Sequence, residues 1–178
     1  MTVTEIADGL WRWTAPHPAW KPGADWPEQV GCVLAEVTGG PVLIDPLVED
    51  WDWLGQRLAG RAPAVLTTIE WHARSSAEVL ERFGGATGKP SGVSAFPIER
   101  TGETVFYLPE HRALVPGDLL ITHGTGLRLC PESWLDVPLR GVRAKMRQLL
   151  DLPVERVLVS HGEPVLAGAA EALRAALA

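Results

Sequence analysis

Three side chains of metal-ligand type each stand just past a run of strand character. His72 follows Ala64 to Leu66, Asp118 closes a hairpin that ends at Ala113 to Val115, and His161 follows Arg156 to Ser160. If those strand ends share one edge of the sheets, the three side chains converge there. Two imidazoles and one carboxylate with open positions describe a catalytic zinc or a non-haem iron site. Spacing by itself leaves a second reading open, in which the histidines cap turns and the aspartate is solvated. His72 sits in a strand-to-helix loop that also carries Glu70, Trp71 and Arg74, the kind of turn on which α/β proteins place chemistry.

The remaining polar residues are less pointed. The segment Ala15 to Pro27, APHPAWKPGADWP, holds His17, Trp20 and Trp26. Its prolines exclude it from a sheet, so it reads either as a flap over a substrate pocket or as a loop pinned to the core by its own tryptophans. His123 could face the same rim as Asp118, and His111 is expected to be solvent-exposed in a tight turn. Ser160 has no acid placed to orient a triad, and no GxSxG, P-loop or GxGxxG pattern occurs.

The elements that must carry these residues follow from periodicity. Ile6 to Thr14 alternates as one strand. Val30 to Val37 and Pro41 to Ile44 form a hairpin around ThrGlyGly, and Asp50 or Asp52 caps a short helix through Leu58. A strand at Ala64 leads through the loop into a helix with Val79, Leu80 and Phe83. Val93 to Phe96 precedes a second hairpin, Glu103 to Leu108 with Ala113 to Val115, and Leu119 to Thr122 continues as strand. Leu139, Val142, Met146 and Leu149 mark one buried helix face. A strand from Arg156 to Ser160 and a helix from Ala167 complete the order. Hairpins alternating with single helices fit a pair of sheets with helices outside, in one domain over residues 1–178.

The 178 residues are 46% apolar and 21% charged, as in soluble globular proteins. A net charge of −6 argues against nucleic acid as a partner. No run approaches membrane-span length, and MTVTEI passes into ADGLWRW without a basic segment and apolar run, so neither membrane nor secretory leader is expected. Cys32 and Cys130 fit buried thiols in a reducing cytoplasm. Six of the eight tryptophans, Trp11, Trp13, Trp20, Trp26, Trp51 and Trp53, fall in the first third, as an aromatic core or an aromatic-walled pocket.

Over nearly its whole length the chain resembles the metallo-β-lactamase fold superfamily. VLIDP follows the first hairpins, VLTTIEWHARSSAEVLERFG stands where that family has its THxHxDH turn and helix, VFYLPEHRALVPGDLL where it has a hairpin ending in GlyAsp, and MRQLLDLPVERVLVSHGEP where it has a terminal GlyHisGly. The resemblance implies a compact four-layer αββα sandwich, with Asp118 as a metal carboxylate and His161 as the last histidine ligand. It also exposes departures. Thr68 and Glu70 replace both first-site histidines, His72 takes the place of the aspartate, Ala73 replaces the following histidine, and the histidine of the next loop aligns with Arg100. A binuclear site cannot be built from this set.

One mononuclear site remains: His72, Asp118 and His161, binding zinc, iron or manganese, with Glu70 as fourth ligand or base. Glu70 or Asp118 would take a proton from water, Arg74 or Arg100 would stabilise an anionic intermediate, and Trp20, Trp26, Trp71 and Arg74 would bind a small-molecule substrate. The expected activity is hydrolysis, with an iron oxidoreductase as a further possibility. The alternative is a metal-free binding or regulatory protein in which Arg74 and Arg100 pair with Glu70 and Asp118. The sequence leaves the substrate and the oligomeric state open.

Overall fold

Alternation along the strands sorts the apolar side chains onto two faces of two sheets. In β3 (Gln29–Val37), Cys32 and Leu34 face one way and Val33, Ala35 and Val37 the other, and in β7 (Glu103–Leu108) Val105 and Tyr107 oppose Phe106 and Leu108. Each face is buried against a different layer. The computed structural model, which describes residues 1–178, shows four layers with three apolar interfaces.

The first sheet has the order β1 (Thr2–Ala7), β2 (Leu10–Pro16), β3, β4 (Gly40–Ile44), β5 (Ala64–Leu66), antiparallel except for the parallel pair β4 and β5. Its outer face packs on α1 (Trp51–Leu58) and α2 (Ser76–Phe83) through Leu54, Leu58 and Val79. The second sheet runs β11 (Arg156–Val157), β8 (Ala113–Val115), β7, β6 (Ser94–Ile98). Val142 and Met146 of α3 (Leu139–Met146) and Leu173 of α4 (Ala169–Ala176) cover its outer face. Leu10, Val33, Ile44, Phe106 and Val115 fill the space between the sheets. Asp50 caps α1 by accepting from Trp53 N at 2.8 Å, one of the two caps expected.

Three details differ from the sequence reading. Ile6 to Thr14 is not one strand, because Asp8 and Gly9 reverse the chain and Ala7 pairs with Leu10. Gly9, at φ 70°, supplies the positive φ that such a turn requires. Leu120–Ile121 (β9) pairs with Arg128–Leu129 (β10) in a separate ribbon. His111 is half-buried, with Nε2 2.7 Å from Glu36 O, so it joins the two sheets rather than standing in solvent.

The strand expected over Arg156 to Ser160 is ordered beyond β11, but it changes partner. Leu158 N still donates to Leu114 O in the second sheet at 2.8 Å, while Ser160 O accepts from Gly31 N of the first at 2.8 Å. Arg12 reinforces this crossing, donating from Nη2 to Gly162 O at 2.7 Å and Val159 O at 3.3 Å. A Cβ at Gly31 would come within 2.5 Å of Val159 O, so the approach requires glycine there. His161 is thereby fixed between the sheets. No helix is long and apolar enough to cross a membrane, and both cysteines are free and buried. Burial pushes the Cys32 thiol up to about 11 and the Cys130 thiol up to about 12.

Candidate metal centre

Because β4 and β5 are parallel neighbours, the residues that follow them emerge at the same sheet edge. Asp45 follows β4 in the left-handed region at φ 52°, which aspartate tolerates better than most residues. Its Oδ1 accepts from Thr68 N at 2.7 Å, and its Oδ2 accepts from Thr68 Oγ1 at 2.6 Å. His72, in the short helical turn Glu70–Ala73, brings Nδ1 to 3.0 Å from both Asp45 Oδ2 and Thr68 Oγ1.

These contacts fix the tautomer. Thr68 has one hydroxyl proton, given to Asp45, and an ionised Asp45 has none to give, so the proton between these groups and the ring belongs to His72 Nδ1. In the neutral ring, Nε2 then presents a lone pair. It points into the space in front of Asp118, with Oδ1 3.2 Å away.

Asp118 and His161 reach that space from the second sheet. Asp118 N donates to Glu103 Oε1, and a Cβ at Gly117 would lie 2.1 Å from that oxygen and 2.7 Å from Thr68 Oγ1. His161 Nε2 lies 3.0 Å from Asp118 Oδ1. Oδ1 is buried with these two ring nitrogens as its neighbours, and His161 Nδ1 is buried without a hydrogen-bond partner. One ligand atom from each of the three residues lies within 4.8 Å of the others. Acceptors this close in a buried site call for a positive charge among them, and the set could hold a metal ion.

Without a metal, a proton on His72 supplies that charge. Burial alone would lower the pKa of His72, but the Asp118 and Asp45 carboxylates outweigh it and raise the ring to about 9. Burial would raise Asp118, but His161 and His72 hold it well below the usual carboxylate range. Glu103 is pushed well above that range by burial, then by the Asp118 charge. His17 is lowered, first by burial and then by Arg74.

A cavity of about 320 Å³ opens over this cluster. Trp26 and Trp134 stand edge-on to His161, with ring centroids 5.6 and 5.3 Å away. Trp71, 62% exposed, donates Nε1 to Asp118 Oδ2 at 3.1 Å. The flap residue Asp25 accepts from Trp134 Nε1 at 2.6 Å, which fastens the loop over the site. His17, Arg74 and Arg100 also line the cavity.

Several residues are placed differently from expectation. Glu70 is exposed and does not line the cavity, because its helical turn points it outward. Trp20 donates Nε1 to Trp26 O within the flap at 2.9 Å and lies outside the lining. His123 is exposed in another surface depression. Arg74 Nη1 donates to Asp45 O at 3.0 Å and Gly31 O at 3.3 Å, so it braces the site edge without pairing with Asp118 or Glu70. The side chain after the Arg100 loop that reaches Asp118 is Glu103, the first residue of β7; Arg100 stands exposed at the rim. Asp45, Glu103 and Trp134 were missed. Asp45 directly follows the apolar run Val42–Ile44 of VLIDP, which was a usable signal; Trp134 had none.

Neither a protein-family model nor a curated protein sequence matches the chain. Solved structures do. A metallo-β-lactamase from Pontibacter korlensis superposes with TM-score 0.68 at 18% identity, over 99% of this chain and 98% of the other. A metallo-β-lactamase from Erythrobacter litoralis gives 0.63 at 13%, covering 98% and 91%. The protein TTHA1623, solved in a di-iron-bound form, gives 0.53 at 26%, covering 79% and 91%. In architecture, the chain thus has the metallo-β-lactamase fold.

Proposed function

We propose that the protein is a metal-dependent hydrolase of this fold that uses one divalent ion, held by His72, Asp118 and His161, on a small molecule bound in the tryptophan-walled cavity. The observation that carries this reading is the convergence of the two Nε2 atoms on a buried Asp118 Oδ1, with the three ligand atoms within 4.8 Å of one another. When bound, such an ion supplies a Lewis acid and a water acidified toward neutral pH.

The chain's own residues support that chemistry. Asp45 and Thr68 hold His72 with its donor face inward to the protein and its acceptor face outward. Trp71 keeps Asp118 Oδ2 occupied, which leaves Oδ1 as the ligand oxygen. Trp26 and Trp134 shield His161 from water. Glu70 lies outside the cavity, so the proton-accepting role expected of it is not open to it, and Asp118, held well below the usual carboxylate range, serves as a ligand and not as a base.

Zinc, iron and manganese all suit the donor set, and iron draws support from the di-iron-bound structural neighbour. Metal analysis after purification without chelator tests the reading: about one equivalent is expected. Less than about a tenth of an equivalent, with a melting temperature indifferent to zinc and chelator, would leave a metal-free binding protein instead.

A further inference from the structure

Arg100 lines the cavity mouth, and its guanidinium has no ion pair or hydrogen bond within the protein. Several surface cations of this chain do pair: Arg61 with Glu36, Arg82 with Glu78 and Arg112 with Glu155. The carboxylate adjacent in sequence, Glu99, is taken by Lys145 at 2.6 Å. Arg100 also holds φ at 68°, an uncommon conformation for a side chain of this size, and such outliers cluster at ligand sites. The other arginine of the cavity, Arg74, is half-buried at the site edge and directs Nη1 to backbone carbonyls. Arg100 thus stands as the exposed positive group at a mouth lined by Trp26, Trp71 and Trp134.

Among the lining carboxylates, Asp25 is bonded to Trp134, Glu103 is buried under Asp118, and Asp118 faces two imidazoles. Asp136 is exposed and screened by water. We infer that the cavity selects a small monoanion, a carboxylate on a planar apolar body, with Arg100 gripping the carboxylate and the tryptophans flanking the plane. Guanidinium geometry matches a carboxylate with two parallel hydrogen bonds, and indole faces take planar groups without a polar requirement. This deepens the proposed function by naming the substrate class of the same cavity.

The test is calorimetric titration of 1-naphthoate and its neutral amide, 1-naphthamide, into chelator-dialysed protein, which removes a metal as a rival carboxylate acceptor. Naphthoate is expected to bind at least about tenfold more tightly than the amide, as for a charge-assisted hydrogen-bonded pair. Arg100→Gly, which the left-handed backbone favours, is expected to abolish that preference, and Arg100→Lys to retain part of it. Equal affinities in the wild type, no binding of either probe, or a preference that survives Arg100→Gly would each overturn the inference. Because metal is absent throughout, failure of the hydrolase reading in metal analysis leaves this result standing or falling separately.

Discussion

Asp45 Oδ2 lies 3.0 Å from His72 Nδ1, and this contact decides which nitrogen of the ring faces Asp118. An asparagine at 45 would keep the size but offer an N–H where the ring now needs an acceptor. Asp45→Asn is therefore predicted to weaken metal binding by about 10- to 100-fold while the fold survives. Competition with a chromophoric chelator measures it; unchanged affinity would show that Asp45 has no part in orienting the ring.

In metal-free protein, His72 is raised to about 9 from an ordinary 6.5. A raised histidine contributes stability that is complete below the unfolded pKa and is lost as pH rises through the folded one. Metal-free protein is predicted to lose stability between pH 6.5 and 9, by at most roughly 1.4 kcal/mol per pH unit from this group. Metal binding must displace that proton, so metal affinity should climb over the same window. Denaturant melts and metal titrations at several pH values, with His72→Gln as the flat control, provide the check.

Glu103 pulls in the same direction for the opposite reason. Its carboxyl is raised by burial, so the unfolded chain releases that proton first and stability falls as pH rises above about 4.5. Glu103→Gln keeps an oxygen for Asp118 N and removes the titration. The variant is predicted to match wild type near pH 4 and to exceed it increasingly toward pH 8; parallel curves would mean that Glu103 is ionised in the folded state.

Gly117 sits at φ 61° with Glu103 Oε1 and Thr68 Oγ1 in the space a Cβ would take. Gly117→Ala combines a left-handed backbone with overpacking, and a loss of roughly 2–4 kcal/mol is predicted. Since Thr68 also supports Asp45, metal affinity should fall with it. A variant with wild-type melting and wild-type metal affinity would contradict the tight packing described.

The layered fold was legible because period-two strands and the 139, 142, 146, 149 helix face report burial directly. Asp118 and His161 were legible because they end strands, and His72 because its loop joins a strand to a helix. What escaped was the identity of supporting groups. Thr68 looked like a lost ligand, yet its hydroxyl holds Asp45; Glu103 looked like an ordinary strand residue, yet it is 3% exposed. Both roles depend on partners more than twenty or about fifteen positions away, and local patterns carry no such pairing. Ile6 to Thr14 failed because alternation continued across the Asp8–Gly9 turn.

His72 hangs from the first sheet, Asp118 follows a strand of the second, and His161 is fixed between the two. An ion held by all three would act as a rivet at the edge of the sandwich, and it could leave only when the sheets part or a ligand swings away. The rate of metal loss to excess chelator would then serve as a clock for sheet separation. The protein's persistence under stress would be governed by that opening rate as much as by its equilibrium stability.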